Sequence, residues 1–126
     1  AIRFYKGAGN TGTHRGTLWS DTGRLLGEVT FAQETASGWQ RAAFTSPVPL
    51  VPGETYVVSY LAPEGGFAME GGYFASARTS GFITAPATDN GRYRYGAGGG
   101  FPTDSWDASA YFVDAEIDFG TQEVAP

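Results

Sequence analysis

Apolar residues recur at every second position along most of this chain, the period of β-strands and not of helices. Ile2, Phe4 and Lys6 alternate with Arg3 and Tyr5, and a glycine-rich turn follows at 7–12. The runs 14–20 and 25–33 flank Asp21-Thr22-Gly23-Arg24, which reads as a hairpin turn. Side chains of a strand point alternately to its two faces. Leu18 is therefore expected inward, with Leu25, Val29 and Phe31, and Trp19 on the polar side with Glu28 and Thr30. A further short run, 39–44, is entered through Ser37-Gly38.

Leu50-Val51-Pro52-Gly53-Glu54-Thr55-Tyr56 has the spacing of a tyrosine corner, in which the Tyr hydroxyl bonds back to the backbone at a crossover between sheets. Tyr56, Val58 and Tyr60 then read as inward, and Val57, Ser59 and Leu61 as outward. The closing run has the clearest alternation. Tyr111, Val113, Ala115, Ile117 and Phe119 form an apolar row, and Phe112, Asp114, Glu116 and Asp118 an outward, mostly acidic one.

Between these runs, at about 63–110, the period dissolves. That stretch holds 10 of the 19 glycines and 8 of the 19 aromatic residues, and only 92–95 reads as a strand. So many aromatics argue for ordered loops and short strands folded over one end or face of the domain. Short strands separated by turn signals predict an all-β fold: an antiparallel immunoglobulin- or fibronectin-like β-sandwich of Greek-key type with a long Gly/aromatic-rich loop region. The expected division is a single domain over 1–120 and a C-terminal tail or linker over 121–126. The expected core is Phe4, Leu18, Val29, Phe31, Phe44, Tyr56, Val58, Val113 and Ile117.

Composition narrows the function. The 126 residues suit one domain. A net charge of -5 argues against nucleic acid and against an anionic membrane surface, both of which require basic patches. No apolar run is long enough for a transmembrane helix. Cysteine is absent, which excludes thiolate zinc sites and a cysteine nucleophile, and a single histidine, His14, excludes a histidine cluster.

Several phrases together resemble one family. They are Ile2-Arg3-Phe4-Tyr5-Lys6, Asn10-Thr11-Gly12-Thr13-His14-Arg15-Gly16-Thr17-Leu18-Trp19, Gly38-Trp39-Gln40, Tyr56-Val57-Val58-Ser59-Tyr60 with Ala62-Pro63, Asn90-Gly91-Arg92-Tyr93-Arg94-Tyr95, and Phe101-Pro102 leading to Tyr111-Phe112-Val113-Asp114. Over residues 2 to about 119 the chain resembles the bacterial extracellular module known as domain of unknown function 4082. The resemblance implies a secreted β-sandwich, commonly one of several modules beside immunoglobulin-like repeats and enzymes, with no established activity. Two departures stand out: Leu61 replaces a usual His, and Ala110-Tyr111-Phe112-Val113-Asp114 replaces an Asn-Tyr-Trp-Val-Asp phrase. Family members also tend to begin with an additional strand, so an edge strand missing here or supplied from elsewhere is expected.

Catalytic motifs are weak. Gly7-Ala8-Gly9-Asn10-Thr11-Gly12 fits G-x-G-x-x-G, but a dinucleotide loop needs a helix to follow, and a strand pattern follows instead. Asp114, Glu116 and Asp118 are spaced about 6.7 Å apart along a strand. That spacing is near the roughly 6.5–9.5 Å of inverting glycosidases, yet a chain this small has little room for a deep cleft. A solvated acidic face is the simpler reading. His14 and Ser59 lack a nucleophile elbow. Asp89-Asn90-Gly91 and Asp104 with Asp107 offer oxygen ligands for a structural calcium ion, with Asp89 and Asp104 as its candidate ligands. Asp-Asn-Gly is equally a good turn.

The aromatic residues carry the strongest functional signal. Sugar C–H groups pack on electron-rich ring faces while flanking polar groups fix the hydroxyls. The candidate ligand residues are Trp19, Trp106, Tyr95, Tyr73, Arg94 and Asn90; Trp39, Tyr56 and Tyr111 are expected to be core or loop-pinning residues. The resulting expectation is a noncatalytic, carbohydrate-binding-like accessory module of a secreted bacterial protein, partnered by a polysaccharide or glycan and by other domains of its parent. The alternative is an architectural or adhesive spacer without a small ligand.

Overall fold

The computed structural model describes residues 1–96 and 99–118. Regular structure among them is entirely β: β1 (Ile2–Lys6), β2 (Arg15–Ser20), β3 (Leu25–Thr30), β4 (Gly38–Ala42), β5 (Tyr56–Leu61), β6 (Arg78–Ser80), β7 (Ile83–Ala85), β8 (Arg92–Tyr93), β9 (Asp104–Ser105) and β10 (Val113–Ala115). They form two three-stranded antiparallel sheets, ordered β10-β1-β4 and β3-β2-β5, and two small hairpin-like pairs, β6-β7 and β8-β9.

The alternation along β1 buries Ile2 and Phe4 completely, and these meet Val29 and Phe31. Phe4 presents its ring edge-on to Phe31 at 4.8 Å and stacks on Tyr60 at 4.4 Å. Phe4 belongs to one sheet and Tyr60 to the other, so these rings join the two. Burial of each such large apolar side chain is worth about 1.5–3 kcal/mol. Gly16 of β2 sits against this cluster: a Cβ there would lie 3.1 Å from both Ile2 and Phe31. Leu18 is buried, as its parity predicts, and Phe44, Val58 and Val113 pack against the cluster. The Val51 N–H donates to the Tyr56 hydroxyl at 2.8 Å, which is the corner bond the sequence spacing predicts.

The hairpin at 21–24 closes as expected, with Ser20 N–H donating to Arg24 O and Gly23 N–H to Ser20 O. One detail of the β2-β3 pairing differs. Leu18 faces Gly27 but Trp19 faces Leu25, so Leu26 forms a β-bulge. A bulge resets side-chain parity. Leu25 is consequently on the outer face, half exposed, and not inward with Val29.

Three further expectations are corrected. The closing strand spans only Val113–Ala115, and Phe112 adopts a left-handed backbone (φ 53°) that breaks the alternation at its start; Phe119 and the 121–126 tail lie outside the described residues. Trp39, expected to be a core or loop-pinning residue, is 47% exposed on the outer face of β4, edge-on to Tyr5 and beneath the Arg3 guanidinium. The loop region holds four short strands, in keeping with the ordered loops and short strands expected there, but the strand read at 92–95 reduces to Arg92–Tyr93. The signal for β6-β7 was present in Thr79-Ser80-Gly81-Phe82-Ile83-Thr84, where Gly81 (φ 58°) opens a two-residue turn.

Candidate functional site

The loop region holds Trp106 in a tight backbone clasp. Asp107 and Ala108 both have left-handed φ (53° and 43°), and Ser109 N–H returns to Trp106 O at 3.2 Å, the mirror-image turn favoured in hairpins. The Ser109 hydroxyl donates to the same carbonyl at 2.9 Å. Residues 70–74 grip this turn: Gly72 N–H donates to Asp107 O, Phe74 N–H to Ala108 O, and Glu70 exchanges two bonds with Ala110. Gly91 (φ 69°) closes the other side; a Cβ there would sit 2.5 Å from Ser109 O. Side chains held at left-handed positions cost energy and persist only where their surroundings enforce them.

This frame, with the β8-β9 pair, assembles Phe67, Met69, Tyr93, Tyr95, Trp106 and Tyr111 around an open cavity of about 340 Å³. Tyr95 and Trp106 are its most exposed rings, at 81% and 58%. Tyr93 and Tyr95 meet edge to face at 5.6 Å, and Phe67 and Tyr111 at 5.5 Å. The left-handed Phe112 takes Tyr111 out of the inward row of β10 and into this wall. Burial raises the Tyr111 hydroxyl pKa, with added repulsion from Tyr93 and Tyr95 and partial relief from a Ser109 hydrogen bond. A lining of aromatic rings and a thioether can stack on apolar or weakly polarised groups.

Of the residues read from the sequence, Trp106 and Tyr95 are brought together here, and the others are not part of the lining. Trp19 does lie on the outer face, but Phe101 covers it edge-on at 5.5 Å and its indole N–H donates to Ser59 Oγ at 2.8 Å. Tyr73 is capped by the Arg78 guanidinium at 3.7 Å. Asn90 serves its own turn, donating to Pro86 O and accepting from Gly91 N–H. Arg94 is exposed and runs beside the Gly100 backbone. Tyr111, expected to be a core or pinning residue, is instead a wall of the cavity; Tyr93, which shares the parity of Tyr95 in the 92–95 run, joins it, and so do Phe67 and Met69, which no predicted element contained. Only their occurrence in one aromatic-rich stretch hinted at them.

The candidate calcium ligands have backbone roles. Asp89 takes a left-handed turn position and accepts from Arg92 Nε through its carbonyl, while Asp104 pairs with Tyr93. No cluster of three His, Asp or Glu side chains placed to hold a metal exists among the described residues. The acids of the closing segment, Asp114 in β10 and Glu116 just past it, are matched by arginines, with Arg3 on Asp114 at 3.0 Å and Arg41 on Glu116 at 2.7 Å. The exposed Glu116 has its pKa lowered, chiefly by the Arg41 bond.

His14 is fully buried and belongs to a polar chain the sequence did not foretell. Its Nδ1 lies 2.7 Å from Glu34 Oε1, and its Nε2 2.7 Å from Asn10 Oδ1. Lys6 approaches the same Glu34 oxygen at 3.2 Å, and the Asn10 amide reaches the Tyr60 hydroxyl. Burial would raise the Glu34 pKa, yet the hydrogen bonds and charges of His14 and Lys6 together lower it. Burial pushes the Tyr60 hydroxyl up to about 12 against the Asn10 bond. Ser59, next along β5, points to the opposite face with Trp19, so His14 and Ser59 form no dyad. The 7–12 loop carries Asn10 into this network, and no helix follows its glycines.

The molecule is thus an all-β, antiparallel protein bearing an open, ring-lined cavity on its loop region. The chain belongs to the family described as Domain of unknown function (DUF4082), which is matched over residues 1–113. No curated protein and no solved structure matches it. No helix among the described residues is long and apolar enough to cross a membrane.

Proposed function

We propose that this chain is a noncatalytic, carbohydrate-binding-like accessory module of a secreted bacterial protein, built as an immunoglobulin-like sandwich of Greek-key type. The observation that carries the reading is the pairing of Trp106 and Tyr95, 58% and 81% exposed, in the lining of one cavity. Exposed indole and phenol faces stack on sugar rings, and nearby backbone and phenol groups accept or donate to hydroxyls. A shallow site of this kind binds weakly by itself and gains from several modules in one parent protein. The sandwich reading is supported by the ring contacts that join the two three-stranded sheets and by the Tyr56 corner bond.

Affinity electrophoresis against a panel of neutral polysaccharides tests this. Retardation by at least one glycan, lost in Trp106→Ala and Tyr95→Ala with unchanged thermal midpoints, is the expected result. Retardation by none of them sinks the sugar reading and leaves an architectural spacer.

A further inference from the structure

Rings that converge on one cavity without a basic side chain in its lining invite a cation. The six lining residues are five aromatics and a methionine, and the volume of about 340 Å³ is at the small end of ligand sites, which run from roughly 300 to 1,000 Å³. Two edge-to-face pairs, Tyr93 with Tyr95 and Phe67 with Tyr111, contribute walls in different orientations, and Trp106 supplies the largest ring. The chain shows elsewhere that its rings attract cations. Arg3 caps Trp39, Arg78 caps Tyr73 and Arg92 caps Phe101, but none of these three rings lines the cavity. Along the chain the walls are flanked by charges of both signs: Glu70 follows Met69, Asp107 follows Trp106 and Asp104 pairs with Tyr93, while of the two arginines beside Tyr93, Arg92 meets Asp21 and the Phe101 ring and Arg94 runs beside the Gly100 backbone. The net charge of -5 adds a long-range field of the same sign.

We infer that the cavity formed by Phe67, Met69, Tyr93, Tyr95, Trp106 and Tyr111 is an aromatic cage for a methylated ammonium group, such as the trimethylammonium of choline. A quaternary ammonium suits such a cage because its charge is spread over methyl groups. These pack on ring faces as apolar surface while the quadrupoles of the rings stabilise the charge. A primary ammonium is far more strongly hydrated, and ring faces replace that hydration poorly. This inference goes beyond the glycan reading and does not need it, since neutral sugars and cations probe separate properties of the same rings.

The test is a tryptophan-fluorescence titration of the whole chain at constant ionic strength with choline, tetramethylammonium and the neutral isostere 3,3-dimethylbutan-1-ol. Both cations are expected to saturate in the millimolar range, with the isostere about tenfold weaker, the difference that cation–π contacts with two or three rings supply. Tyr95→Leu keeps apolar bulk and the Trp106 reporter but removes one ring. It is expected to weaken choline about threefold or more and to leave the isostere unchanged. Equal binding of choline and isostere overturns the inference, as does the absence of saturation by either cation. Cosedimentation with phosphatidylcholine vesicles, competed by free choline, assigns the group to a lipid headgroup; choline binding without cosedimentation assigns it to a soluble or polymer-borne amine.

Discussion

The Tyr60 ring lies 4.4 Å from that of Phe4 and is inclined to it by only 17°, while the Tyr60 hydroxyl accepts from the Asn10 amide. One residue of β5 thereby touches both the apolar core and the buried polar chain that runs through His14 to Glu34. Phe4→Ala is expected to destabilise the fold by about 3–5 kcal/mol through the cavity it leaves. Tyr60→Phe keeps the stack but leaves the Asn10 amide without its partner, a loss of about 1 kcal/mol. Urea denaturation of the two variants measures both, and equal losses would contradict the division of roles.

Acid should weaken the protein through Glu34. Its carboxyl is desolvated, which opposes ionisation, but the bonds from His14 and Lys6 prevail and hold its pKa below the ordinary value. The folded state therefore binds that proton less readily than the unfolded chain. The stabilisation is complete above the usual carboxylate range near about 4.3 and is lost as pH falls through the lower folded value. Glu34→Gln is expected to cost about 2 kcal/mol at pH 7 and to flatten the acid limb of a plot of thermal midpoint against pH. An unchanged acid limb would show that Glu34 is not the group responsible.

Alkali acts on Tyr60. Its folded pKa of about 12 exceeds the ordinary value of 10, so its contribution is full below pH 10 and declines as pH rises through 12. Ultraviolet titration should show one phenol ionising after the others or together with unfolding, and Tyr60→Phe should remove that late step.

Gly91 should be intolerant of any side chain. Its φ is 69°, and an added Cβ would fall 2.5 Å from Ser109 O and 2.6 Å from Ser109 N, which are backbone atoms of the turn that carries Trp106. Gly91→Ala is expected to cost about 2 kcal/mol or more and to displace Trp106. Near-ultraviolet circular dichroism and the emission maximum would report the displacement; a wild-type spectrum would contradict it.

Trp19 and Trp106 should respond differently. Trp19 is covered by Phe101 and bonded to Ser59, so Trp19→Ala is expected to destabilise by about 3 kcal/mol. Trp106 is 58% exposed, and its removal should cost less than about 1 kcal/mol while altering ligand binding. Thermal melts of the pair distinguish a structural indole from an available one.

The period of two by itself determined the β class, the inward row of Ile2, Phe4, Leu18, Val29 and Phe31, and the outward Asp114 of β10, because a strand has only two faces. The Leu50 to Tyr56 spacing likewise placed a hydroxyl within reach of a backbone N–H. Trp106 and Tyr95 could be picked out as ligand candidates since they lie in the glycine- and aromatic-rich stretch at about 63–110, where the period of two dissolves. Only the tertiary structure decided which rings share a cavity. Tyr111 enters it because Phe112 turns left-handed, and Trp19 stays out because Phe101 arrives from a distant loop to cover it. Leu25 faced outward through a single bulged residue, and His14 found Glu34 across a loop with no motif to announce the pair. Parity is a local property carried by the backbone. The company a side chain keeps depends on loop paths and left-handed residues, whose energies are set by contacts far away in the sequence.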